Sequence, residues 1–186
     1  MKAILKKVAK RMGFVIARIT PSTSHAERIR RLFAHHHIDL VLDVGANVGQ
    51  YGKLLRGLGY SGRIISFEPL STAYAELQAV SHNDPLWTIA PRTAIGDKDD
   101  SVQINVSGNS YSSSILDMLD SHVQAAPEST YIGSETVKLS KLDTIAKDYI
   151  DSKYHSIFLK IDVQGFEMQV LSGASRILGE IDLVLI

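Results

Sequence analysis

The chain reads as an α/β protein, a mostly parallel sheet flanked by helices. Three observations predict this. From residue 38 onward, strand-like and helix-like stretches alternate along the sequence. The stretches "IDLVLDV" and "SIFLKIDV" are continuous apolar runs, as expected of parallel strands covered on both faces. The first of them ends in an acid and a glycine-framed turn, "VLDVGANVGQYG" at 41–52, which opens directly into a helix.

Each element follows from local pattern. "GQYGKLLRGLG" carries Tyr51, Leu54, Leu55 and Leu58 on one helical face, with Gly59 as its stop. "GRIISFEP" is a second short strand closed by Pro69, which discourages helix at Glu68. "STAYAELQAV" reads as a helix capped by Ser71. "LWTIAPRTAIGD" is a third strand region, broken at Pro91, and "SVQINVSG" alternates like one arm of an inserted hairpin. A polar loop follows at "NSYSSSIL", and 115–130 carries no clear pattern. "ETVKLSKLDTIAKDYI" holds a strand and then a helix with Asp143 as cap. "GFEMQVLSGASRILG" is a helix with Phe166, Val170, Leu171, Ala174, Ile177 and Leu178 inward, and "IDLVLI" begins a further strand.

The totals bound the reading. A chain of 186 residues, 45% hydrophobic and 22% charged, suits one well-buried core and is short for two domains. The absence of cysteine excludes disulfides and thiolate metal sites and fits a reducing compartment, so a cytoplasmic location is expected. Twenty basic residues balance twenty acidic ones, so no global field draws the chain to nucleic acid. The balance conceals an asymmetry. Residues 1–31 hold nine Lys/Arg against the single acid Glu27, leaving eleven basic and nineteen acidic residues in the remainder.

The expected organisation is therefore a basic helical extension over 1–37 and one domain over 38–186. In the head, Ile4, Leu5, Val8 and Met12 recur at helical spacing with lysines between them. This reads as a helix on an anionic membrane or a partner, or as a leading helix packed on the body. No apolar run approaches the roughly 18–20 residues of a spanning helix. His35, His36 and His37 resemble a metal cluster, but consecutive residues do not converge easily on one ion, and a solvated turn is the plainer reading. No metal is expected.

A strand–glycine turn–helix unit points free backbone N–H groups at whatever sits above the strand end. Glycine there lets a ligand approach the backbone. Asp43 ends the first strand beside this crevice, and Glu68 ends the second strand nineteen residues after Gly49, where a carboxylate can accept from both hydroxyls of a ribose. Two cofactor classes compete. A dinucleotide site wants a second glycine where this chain has Asn47, so nothing obvious accommodates a pyrophosphate. The pattern D-x-G-x-N-x-G is instead similar to motif I of class I S-adenosylmethionine-dependent methyltransferases.

Further segments sharpen the likeness. "FEP" at 67–69, "AIGD" at 94–97, "SSS" at 112–114, "KLDTI" at 141–145 and "LKIDVQGFEMQVLSGA" at 159–174 occur in the order seen in the FkbM methyltransferase family, which the chain resembles over roughly 38–186. The resemblance implies a Rossmann-like class I methyltransferase sheet with flanking helices. It also implies transfer of a methyl group from S-adenosylmethionine, usually to a hydroxyl of a sugar, glycolipid or natural product. Asp43, Gly45, Ala46, Asn47 and Gly49 match its cofactor motif, and Glu68, followed by Pro69, matches the ribose acid. Ala94, Ile95 and Gly96 fall where the adenine is bordered. Asp97 stands as an adenine partner or a turn residue. Class I methyltransferases normally add two strands after the one "IDLVLI" begins, so the expectation is a sheet whose C-terminal strands are missing.

Hydroxyl methylation calls for a base, and the catalytic candidates are Asp162, at a strand end, and Glu167, in the first turn of the next helix. Lys160, inside an apolar strand, either pairs with an acid of the site or snorkels to the strand end. His155 falls at the far end of that strand. Ser112, Ser113 and Ser114 line an acceptor pocket or form a capped loop. The expected partner is a small-molecule or glycan acceptor, with peripheral membrane contact through the basic head as a further reading. An NAD-linked oxidoreductase and a non-catalytic cofactor-binding module are the alternatives.

Overall fold

The computed structural model describes residues 24–107 and 131–186. The expected helix at the extreme N-terminus, the triplet Ser112–Ser114 and the stretch 115–130 lie outside the described residues. The chain divides between His35 and His36 into two units. The described part of the first is the start of helix α1 (His25–His36). Ser24 Oγ accepts from the Glu27 backbone N–H, a local cap, and Arg30 and Arg31 both pair with Glu27 at 2.8 Å. The hydrogen bonds from these two arginines hold the Glu27 carboxyl at about 2. His35 and His36 belong to this helix, and His37 leaves it in the left-handed conformation.

The second unit is built on five parallel strands. They are β1 (Leu40–Val44), β2 (Arg63–Phe67), β3 (Trp87–Ile89), β7 (Ile157–Ile161) and β8 (Ile181–Leu185), in the order β3-β2-β1-β7-β8. The chain winds outward from β1 through α2 (Gln50–Gly57), β2 and α3 (Ser71–Ser81) to β3. It then returns to the other side of β1 at β7. The strand order reverses between β1 and β7, the place where open α/β sheets form their ligand crevice.

The strand faces alternate, and the alternation sets the chemistry. Leu40, Leu42 and Val44 of β1, Ile65 and Phe67 of β2, and Leu159 and Ile161 of β7 share one apolar core with Val170 and Ala174. The intervening positions include Asp43, Ser66 and Lys160, which stand in lateral register across β1, β2 and β7. All three are buried.

A second sheet departs from the expected continuation of the third strand. β4 (Ala94–Gly96) pairs with β6 (Tyr131–Lys141), which pairs antiparallel with β5 (Asp100–Ser107). Ala90 N makes the last bond to β2, at Ser66 O, and Pro91 has no N–H with which to continue the ladder. The inserted hairpin is therefore real, and β4 belongs to its sheet.

Two expected caps and one helix are corrected. Ser71 is the first helical residue of α3, and its N–H and Oγ both donate to Glu135 of β6. Asp143 lies inside the short α4 (Leu142–Ile145), and its carboxylate accepts from the N–H groups of Arg176 and Ile177. It thus caps a different element, the 3-10 turn Ile177–Glu180. The long helix expected over 166–178 is helical as α5 only at Glu167–Ser172. Asp143 supplies the interruption, since its own N–H donates to Gly173 O while its carboxylate accepts from the next free donors, Arg176 N and Ile177 N. Among the described residues no helix is long and apolar enough to cross a membrane.

Candidate active site

The turn after β1 is shaped by three left-handed residues in alternation, Gly45 (φ 74°), Asn47 (φ 49°) and Gly49 (φ 82°). Asparagine is among the few side chains that tolerate this region, so Asn47 fits where a bulkier residue would be strained. The reason for glycine differs from the expected one. A Cβ at Gly45 would overlap the carbonyl oxygen of Asp162, and one at Gly49 would press on Leu77 and the Trp87 ring. Both glycines serve close packing beneath the turn.

A cleft of about 330 Å³ opens above the ends of β1, β2, β4 and β7. That size lies in the range of small-molecule sites. Of the site residues expected from sequence, Gly45, Ala46, Asn47, Glu68, Pro69, Ala94, Ile95 and Asp162 line it. Asp43, Gly49, Gly96, Asp97 and Glu167 are not in its wall. Asp43 is wholly buried beneath the floor, Gly96 packs under Leu139 and Phe166, and Asp97 is exposed after β4. Glu167 accepts from Gly165 N at 3.0 Å, which orders the left-handed turn at Gln164 and Gly165. His155 lies at the opposite end of β7, where its N–H donates to Asp39.

Glu68 joins the two turns of the site. Its Oε2 accepts from Asn47 N at 2.8 Å and its Oε1 from Leu70 N at 2.9 Å. Burial pushes its carboxyl above the ordinary range, more strongly than these two bonds and Lys160 draw it down. Each oxygen keeps a second lone pair, so hydroxyl donors can still be accepted.

Beneath the cleft runs a polar row. Trp87 Nε1 donates to Ser66 Oγ at 3.0 Å, and Ser66 Oγ donates to Asp43 Oδ2 at 3.3 Å. Asp43 Oδ1 forms an ion pair with Lys160 Nζ at 3.0 Å. The ammonium also donates to Gly45 O at 2.8 Å, stands 3.7 Å from Asp162 Oδ2, and lies 5.7 Å from the centre of the Tyr51 ring. The pairing of Lys160 with an acid is thus the reading the geometry selects. Asp162 itself is largely exposed, and its Oδ1 accepts from Gln164 Nε2 at 3.2 Å.

Sequence reasoning missed several residues of the wall, among them Gln50, Tyr51, Thr93, Gln164 and Phe166. The signal for the first two was present, because polar side chains directly after Gly49 occupy the first turn of a helix that begins at the crevice. Among the described residues, Gln50 Nε2 and Tyr51 Oη are buried without a hydrogen-bond partner. Burial and the nearby Asp43 raise the Tyr51 hydroxyl above its ordinary range, so it stays a donor. Two buried polar groups left over in one cleft wall suit a polar ligand.

Comparison with known families completes this picture. The family model of the methyltransferase FkbM domain matches residues 43–186. The chain belongs to the FkbM methyltransferase family. It is accordingly an S-adenosylmethionine-dependent methyltransferase, with S-adenosylmethionine as its cofactor. No curated protein and no solved structure matches the chain. The FkbM match spans the whole of the cleft wall, from Val44 to Phe166. The fit is good on this chain's own terms, since the cleft offers Glu68 for hydroxyls, the Gln50 amide and the Tyr51 hydroxyl for polar groups, and an apolar flank at Phe67, Leu70, Ala94 and Ile95.

Proposed function

We propose that this FkbM methyltransferase methylates a hydroxyl oxygen on a sugar, glycolipid or natural-product acceptor. The observation that carries the reading is Asp162, an exposed carboxylate at the end of β7 that lines the cleft and is oriented by Gln164 and Lys160. S-adenosylmethionine, when bound, supplies an already activated sulfonium methyl. An alcohol is a poor nucleophile, so the chain's contribution is alignment and removal of a proton.

Asp162 is the group that takes the hydroxyl proton. Glu167, the other candidate, is committed to Gly165 N and shapes the turn that carries Gln164. Glu68 accepts from ribose hydroxyls while its present bonds to Asn47 N and Leu70 N hold the turns apart. Ala94, Ile95 and Pro69 flank the base, and Phe166 and Val163 help exclude water. Asp43 acts from below the floor through Lys160. A glycolipid acceptor suits the basic head, residues 1–31, resting on an anionic surface.

The test is Asp162→Asn, assayed with methyl-labelled S-adenosylmethionine against a panel of hydroxylated glycans and lipids. The turnover number should fall about 10²–10⁴-fold, the scale of a lost general base. Affinity for S-adenosylhomocysteine should stay near that of the wild type. Full turnover by the variant, or label recovered on nitrogen, would contradict the reading.

A further inference from the structure

Lys160 presents a problem that the assigned chemistry does not resolve. It lines a cleft that takes a cationic sulfonium, and a second unit charge within several ångströms can weaken such binding about tenfold or more. Yet Lys160 is only 7% exposed, and its ammonium makes one hydrogen bond and faces two carboxylates. It donates to Gly45 O at 2.8 Å, pairs with Asp43 Oδ1 at 3.0 Å, and reaches Asp162 Oδ2 at 3.7 Å. Asp43 is its direct neighbour in register on β1, is fully buried, and is steadied from the other side by Ser66.

We propose that Lys160 and Asp43 form a charge-cancelled clamp beneath the cleft, in which the lysine ties the glycine turn to the end of β7 while the aspartate removes its charge from the cofactor's view. The proposal rests on the S-adenosylmethionine reading of the same cleft. No neutral side chain could both donate to Gly45 O and balance the buried Asp43 carboxylate. One cation between two carboxylates leaves a single negative charge, and it resides on Asp162, the exposed member, where it faces the cleft. Lys160 is thus a positioning residue, and Asp43 the residue that makes a lysine tolerable there.

The readout is selectivity between two ligands that differ in charge, S-adenosylmethionine with its sulfonium and S-adenosylhomocysteine with a neutral thioether. Calorimetric titration of the full chain should show that Asp43→Asn and Asp162→Asn each weaken S-adenosylmethionine about tenfold relative to S-adenosylhomocysteine. Asp162 is exposed, so its variant tests the charge even where Asp43→Asn fails to fold. The double variant Asp43→Leu/Lys160→Met should keep the wild-type ratio and yet bind both ligands more weakly, because Gly45 O has lost its donor. Its melting temperature should exceed that of Lys160→Met alone, which strands a buried carboxylate. An unchanged ratio in every single aspartate variant that folds would overturn the clamp, as would a double variant that binds both ligands as tightly as the wild type. A wild-type chain that binds neither ligand overturns instead the cofactor reading beneath it.

Discussion

Glu68 directs both carboxylate oxygens at backbone N–H groups, those of Asn47 and Leu70, and so fixes the separation of the two turns that frame the cleft. Its raised carboxyl has a definite sign in folding. The native state holds this proton more tightly than the unfolded chain, so the group contributes most below the unfolded value of about 4.3 and less as pH climbs through its folded value. Replacing Glu68 with alanine should reduce affinity for S-adenosylhomocysteine by about 1–3 kcal/mol, the scale of buried hydrogen bonds left unmade. Calorimetry checks this, and an unchanged affinity would remove Glu68 from the ribose role. At this scale the sequence was legible in kind. Gly45, Asn47 and Gly49 announced a left-handed turn at the strand end, but the glycines answer to the Asp162 carbonyl and to Trp87, neighbours that lie far away in sequence.

Helix ends show why element boundaries resist local reading. Ser71 and Asp143 both have the chemistry of a cap, yet α3 is capped by Glu135, 64 residues away, and Asp143 serves a 3-10 turn 34 residues downstream. Which donor a carboxylate meets is decided by strand pairing, which no sequence window contains. Glu135 also receives Arg92 Nη1 at 2.6 Å. Burial alone would raise its carboxyl, but the bonds from Ser71 and Arg92 prevail and hold it below the ordinary range. The stabilisation is therefore present above the unfolded value of about 4.3 and is lost as pH falls through the lower folded value. Glu135→Gln should cost about 1 kcal/mol at neutral pH, typical of a helix cap. Urea denaturation should show that cost shrinking in acid, and a pH-independent difference would contradict the account.

At the scale of the molecule, alternation of apolar strands and amphipathic helices was enough to read the parallel sheet, because strands buried on both faces leave a continuous apolar run. The second sheet was not legible as such. β4 is three residues long, and its departure from β3 depends on a proline that the sequence showed only as a break. The crevice between β1 and β7 follows from strand order, and with it the meeting of Asp43, Ser66 and Lys160 from three strands. Lys160 stood out in sequence as a costly residue, and lateral register explains how its charge is met. We propose that this crevice holds the sulfonium cofactor through the Gly45–Gly49 turn and Glu68. Calorimetric titration of the full chain with S-adenosylhomocysteine and with NAD tests it most directly. Saturable binding of S-adenosylhomocysteine and none of NAD is the predicted result, and binding of NAD without S-adenosylhomocysteine would contradict it.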